Sequence, residues 1–238
     1  MKKKYFSILL LLIMSFCYSQ SKVLYIEYGS SFDDDNGTFT KDKVFGDSFS
    51  MAMRESHKLR YGLIINSYGA KFFDLTETIE NTLSSNLAKI LTNYMGIIYI
   101  IDDQVLCQSK ILGENIYTKK DLMSDWILTN ESKIIDGLAC YKATRTINIK
   151  NPKGEFTYPV IAWYCPQIPH KYGPNGYGNL PGLILELQVR NVSFFTKKID
   201  FNSDEQFDTN FLKKAKILTE EQFNKKIYEF NDFDKLKK

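Results

Sequence analysis

Histidine, cysteine and proline are scarce in this 238-residue chain, at two, four and six copies, and each shortage closes a line of function. The two histidines, His57 and His170, make no pair at ligand spacing, and there is no CxxC or HExxH motif, so the sequence calls for no metal. Four cysteines are too few for a disulfide-built scaffold. Six prolines and 13 glycines exclude collagen and a flexible linker array. No Gly-rich phosphate loop leads a strand into a helix, and no GxSxG elbow presents a serine; Gly46-Asp47-Ser48-Phe49-Ser50 lacks the second glycine. The acidic stretch Asp33-Asp34-Asp35-Asn36-Gly37 reads as a solvated loop rather than an EF-hand. Its glycine comes one place early, and Val44 stands where the terminal glutamate belongs. No catalytic residue, metal or cofactor is assigned.

What the chain does have is apolar and aromatic mass, 44% and 14% of its residues, enough for a real core and too much for disorder. It starts with Lys2, Lys3 and Lys4, then an apolar run over residues 8–14, then Cys17-Tyr18-Ser19. That is the order of a secretory signal peptide, expected to span residues 1–19 and to leave Gln20 first. The run is too short to cross a hydrocarbon core of about 30 Å, and bulky Phe16 argues against lipidation at Cys17. Three of the 31 basic residues lie in that leader, so the rest of the chain carries 28 basic against 28 acidic residues. A neutral body lacks the basic face that nucleic acid demands. No later apolar run reaches the length of a transmembrane helix. The expected address is outside the cytoplasm: the periplasm or cell envelope of a Gram-negative bacterium, or the medium.

Residues 20–238 read as one β-rich domain. Strand-like runs, rich in β-branched and aromatic residues, recur at 23–28, 59–65, 70–75, 95–105, 105–112, 126–128, 138–149, 158–164 and 183–189, with one more at 191–199. Asn66-Ser67-Tyr68-Gly69 and Asp102-Asp103 supply turns. Ile79, Leu83, Leu87 and Leu91 recur every fourth residue and predict a helix over 77–92. Thr219-Glu220-Glu221-Gln222 is a capping box that starts a second helix over 220–231, with Phe223, Ile227 and Phe230 as its docking stripe. The fold class is therefore mainly β: a twisted antiparallel sheet, one face on the helices and the other free to curve into an open half-barrel.

One hairpin sets a cysteine pair. Ala139, Tyr141, Ala143, Ile147 and Ile149 share a face by period two, as do Phe156, Tyr158, Val160, Ala162 and Tyr164, across the turn signal Asn151-Pro152-Lys153-Gly154. A reversal between Pro152 and Lys153 sets Cys140 opposite Cys165, at disulfide spacing. A four-residue loop slides Cys165 to the diagonal, and a three-residue loop puts Ile161, Trp163 and Cys165 on the apolar face instead. Proline's fixed φ counts against the first register, so the three stay open.

The most specific stretch is Ile161-Ala162-Trp163-Tyr164-Cys165-Pro166-Gln167-Ile168-Pro169, then Tyr172-Gly173-Pro174, then Tyr177-Gly178-Asn179-Leu180-Pro181-Gly182-Leu183-Ile184. It resembles the GLPGLI family of exported bacterial proteins, with Asn179 where the name-giving first glycine belongs. Ile135-Asp136-Gly137 and Cys140-Tyr141-Lys142-Ala143 extend the likeness. The resemblance implies an exported, mostly β protein with no assigned reaction. Pro169, Gly173, Pro174, Leu180, Pro181, Gly182 and Leu183 first read as architecture, the unusual backbone of a compact crossover. Trp163, Tyr164, Tyr172 and Tyr177 are the candidate surface for a ligand or partner. The expected function is a non-catalytic envelope protein binding a small apolar ligand or another envelope protein. The alternatives are a peptide or glycan hydrolase with paired carboxylates and a surface scaffold without a small ligand.

Overall fold

A computed structural model describes residues 23–34, 37–76, 82–94, 96–111, 114–151 and 154–236. Its centre is an open sheet of 12 strands in the order β12-β6-β5-β4-β3-β2-β1-β11-β10-β9-β8-β7. The first half meanders outward through β1 (Val23–Phe32), β2 (Arg60–Asn66), β3 (Gly69–Asp74), β4 (Ile98–Ile101), β5 (Gln104–Ile111) and β6 (Glu114–Asp121). The chain then jumps to the far edge. From there it returns through β7 (Ile127–Ile135), β8 (Leu138–Asn151), β9 (Gly154–Cys165), β10 (Leu183–Val189) and β11 (Val192–Ser203), which closes against β1. Short β12 (Lys216–Thr219) pairs in parallel with β6, and every other pairing is antiparallel.

That jump dictates the shape. Strands β6 and β7 lie ten strand spacings apart in the ladder order, which in a flat sheet is about 48 Å. Only residues 122–126 join them, and such a link reaches at most about 20 Å. The sheet must curl until its two halves nearly face each other, while β7 and β12 remain its two edge strands. The expected half-barrel is thus a consequence of loop length.

Positive-φ turns hold the meander. Asp102 and Asp103 (φ 49° and 61°) reverse β4 into β5, and Asp136 and Gly137 (φ 48° and 79°) reverse β7 into β8, the geometry that two-residue hairpins require. Helix α1 (Gly46–Ser56) and helix α2 (Leu83–Leu91) cover the inner face, and α3 (Glu220–Leu236) ends the chain. The start expected for α2, residues 77–81, lies outside the described residues. Thr82 caps α2 in a box with Ser85, so Leu83 is the first helical residue and is 80% exposed. The face that packs inward carries Leu87 and Leu91 of the expected stripe, together with Ser85 and Ala88. At α3 the expected box is present: Gln222 N–H donates to Thr219 Oγ1 at 3.2 Å, and Thr219 N–H to Gln222 Oε1 at 3.0 Å.

The inner face holds the main core. Tyr28, Tyr61, Phe72 and Phe194 are almost fully buried, with Tyr61 stacked on Phe72 at 5.3 Å and edge-on to Phe194 at 5.5 Å. The outer face has a smaller cluster, Ile64, Tyr99, Ile101, Leu106 and Tyr117, roofed by Phe207 and Phe211 from the segment after β11. Phe72→Ala should cost about 3–5 kcal/mol in a urea unfolding experiment, whereas Phe201→Ala, at a side chain 53% exposed, should stay within about 0.5 kcal/mol of the parent.

Candidate functional site: a pocket beside the crossover

The segment between β9 and β10, residues 166–182, runs into the trough of the curled sheet. Its hydrogen bonds go to its own root and to the core: Ile168 N–H donates to Cys165 O, Leu183 N–H to Ile168 O at 3.0 Å, and Ile184 N–H to Tyr172 O at 3.0 Å. The Tyr28 hydroxyl, fully buried on β1, donates to Ile184 O at 2.6 Å, and burial holds that phenol far above its usual pKa. The Trp126 indole N–H, in the β6–β7 link, donates to Gly178 O at 2.8 Å. A 3-10 turn over Pro174–Gly176 brings Gly176 so near β4 and β5 that a Cβ there would lie 3.1 Å from Val105 and 3.2 Å from Ile98. The crossover, rooted in one half of the sheet, thus touches the other and wedges the curl from inside.

The hexapeptide supplies the conformations this needs. Leu180, Leu183 and Ile184 are buried. Asn179 holds φ 66°, a left-handed backbone that asparagine tolerates better than most residues other than glycine. Gly182 has φ 156°, and a Cβ there would collide with the Cys165 carbonyl oxygen.

Beside this wedge the curl is not filled. A cavity of about 310 Å³ opens between the end of α2 (Ile90–Asn93), Ile147 and Ile149 of β8, the β10–β11 turn (Val189–Val192), and Asn175 and Tyr177 of the crossover. Phe32 and Phe39 close the remaining side. Phe39 is placed by Asp34, whose carboxylate accepts the N–H groups of Thr38, Phe39 and Thr40 at 2.8, 3.0 and 2.8 Å. The acidic loop therefore has a local job, fixing an aromatic wall, and Asp35 and Asn36 lie outside the described residues. Its walls are aliphatic and aromatic. Thr92, Asn93, Asn175 and Asn191 supply polar groups, and Arg190 is the one charged lining residue among those described.

The four aromatics expected at a binding surface part company. Tyr177 lines the pocket; burial raises its phenol pKa and Arg145 lowers it. Tyr172 is half-buried inside the trough, bridged to Gly178. Tyr164 faces inward beside Tyr141, ring centroids 6.2 Å apart. Trp163, its neighbour, is partly buried against the main core, and Lys133 lies 4.5 Å over its ring and pairs with Glu186. The hairpin register is the one with Asn151 opposite Gly154 and Tyr141 opposite Tyr164; Pro152 and Lys153 are outside the described residues. Cys140, Cys165 and Cys107 stand as free thiols. Among the described residues no three metal-ligating side chains converge, no Asp or Glu is buried, and no helix is long and apolar enough to cross a membrane.

Sequence reasoning missed Ile90, Ile147, Ile149 and Val189 as one wall, because they come from three distant segments. Arg190 was missed because a single exposed arginine in a turn carries no signal by itself.

Comparison with known proteins adds modestly to this geometry. A family model described as "Protein of unknown function (Porph_ging)" matches residues 153–186, which are β9, the crossover and the start of β10. No curated protein matches. Among solved structures, PNGF-II aligns in its C2 crystal form with TM-score 0.53 and 15% identity, covering 84% of this chain and 31% of that one. In the P21 form the values are 0.55, 14%, 87% and 33%. The chain thus spans about a third of PNGF-II, and the likeness is one of fold. The Mycobacterium tuberculosis lipoprotein LppX aligns at TM-score 0.30 and 11% identity, over 79% of this chain and 91% of its own, a level that supports no argument.

Gly182→Ala should lower stability by about 1–3 kcal/mol, read as a lower urea midpoint with unchanged m-value, because both the backbone angle and the Cys165 carbonyl reject a Cβ.

Proposed function

We propose that this chain is an exported, non-catalytic envelope protein of the GLPGLI type, one domain after its leader, that holds a small apolar ligand beside the crossover. The observation that carries the reading is the cavity itself. Its volume of about 310 Å³ falls at the lower end of the range for small-molecule sites, and its walls are apolar with a few polar groups at the rim. A well-folded core of this size ordinarily closes such space. Here the wedge and the short β6–β7 link hold it open. The leader over residues 1–19, outside the described residues, supports the extracytoplasmic address. The hydrolase and scaffold alternatives have no comparable feature in their favour.

The test is binding of a neutral fluorophore, N-phenyl-1-naphthylamine, to the purified protein. Fluorescence should rise saturably, and Ile147→Trp, which fills the cavity from β8, should weaken binding at least tenfold while thermal unfolding stays cooperative. Unsaturable fluorescence, or equal binding by the filled variant, would remove the pocket reading.

A further inference from the structure

The chemistry at the pocket's mouth narrows the ligand further. We infer that the ligand is a single-chain amphiphile whose head is anionic, a carboxylate above all; the inference rests on the pocket reading just given. Arg190 sits in the two-residue turn between β10 and β11 with φ 57°, and it is the only charged residue lining the cavity among those described. Among the described residues no ion pair engages it. Its guanidinium lies instead 4.0 Å from the centroid of the Tyr158 ring, a contact that orients the cation without neutralising it. The turn beneath it is fixed. Asn191 donates its side-chain amide to Asp33 O at 2.7 Å, and Asp33 N–H donates to Asn191 O at 2.8 Å, so the backbone of Asp33 makes the clamp.

An apolar cavity with one unpaired, planar, two-pronged cation at its rim suits a ligand with the matching asymmetry. An alkyl chain fills the space between Ile147, Ile149 and Ile90, and a carboxylate takes two parallel N–H bonds from Arg190. Asn93 and Asn175, linked to each other across the rim at 3.3 Å, offer uncharged polar groups on the far side. A neutral alcohol of equal chain length keeps the apolar contacts and loses the ion pair, and a quaternary ammonium meets repulsion.

Displacement of N-phenyl-1-naphthylamine by dodecanoate, dodecanol and dodecyltrimethylammonium, each below its micellar concentration, tests this. Dodecanoate should compete about tenfold more tightly than dodecanol, a difference of ~1.4 kcal/mol, and the ammonium least well. Arg190→Gln should bring dodecanoate down to the affinity of dodecanol, and Arg190→Lys should keep part of the difference. Dodecanol matching dodecanoate on a protein that still binds the fluorophore would overturn the head-group assignment alone. Absence of any fluorophore binding would overturn the pocket as well. Cosedimentation with phosphatidylglycerol vesicles that Arg190→Gln abolishes would place the anionic head in a membrane and overturn the free-amphiphile assignment.

A separate observation carries a second inference. The β8–β9 ladder pairs Tyr141 with Tyr164, so its next step outward sets Cys140 against Cys165, both with 0% exposure. We propose that these two thiols are a disulfide site: two S–H bonds break, one S–S bond forms, and two electrons and two protons pass to an exported disulfide-bearing oxidant, which leaves as a dithiol. Burial, and then the neighbouring Cys165 thiol, push the Cys140 pKa up to about 12, so oxidation is expected during folding rather than after it. The bond would tie the root of the crossover to β8. Peptide mapping of protein refolded in a glutathione redox buffer should find Cys140 linked to Cys165 and Cys107 alkylatable, with reduction lowering the Tm of the parent but not of the Cys140→Ser, Cys165→Ser double variant. Alkylation of all three in that protein, or a bridge to Cys107, would overturn it.

Discussion

Five residues between β6 and β7 constrain everything else in this molecule. They are too few to cross a flat sheet of this width, so the sheet curls, and a curled sheet has an inner surface that something must fill. Helices α1 and α2 cover part of it. The crossover between β9 and β10 fills the next part, reaching from Cys165 to Val105 and Ile98 on the opposite half. Trp126 secures its backbone at Gly178 O, and Tyr28 secures the start of β10 that follows it at Ile184 O, while both rings pack in apolar surroundings. What neither helix nor crossover fills is the pocket.

The same architecture explains how the hexapeptide is used. Leu180, Leu183 and Ile184 are core residues, Asn179 and Gly182 are backbone solutions, and none of them lines the pocket. The motif builds the wedge that bounds the site. Ligand contact falls instead to residues with no motif of their own, from β8, the end of α2 and the β10–β11 turn.

Much of the fold was legible because it depends on local pattern. Most strands follow from alternating β-branched and aromatic runs, and the β8–β9 register followed from one of three turn lengths. Three elements were not legible. Helix α1 buries only Gly46, Ala52 and Ser56, too little for a periodic apolar signal, and it is held by Phe32 N–H donating to Ser56 Oγ at 3.0 Å. Strand β6 buries just Ile116 and Tyr117 within a charged segment. Parallel β12 owes its place to the Phe207–Phe211 roof over the outer face, a long-range contact invisible to any local window. Of the aromatics foreseen between Trp163 and Tyr177, Tyr177 lines the pocket, because the direction of each side chain is set by its own element and not by its place in the sequence.

The central claim, that the space left beside the crossover is the place where an apolar ligand binds, is tested most directly by methyl NMR during titration with dodecanoate. The account predicts that methyl resonances of Ile90, Ile147, Ile149, Val189 and Val192 shift together and saturate, while Ile64, Ile101 and Leu106 on the outer face stay fixed. Shifts confined to the outer face, or no saturable shift at the inner five, would contradict it.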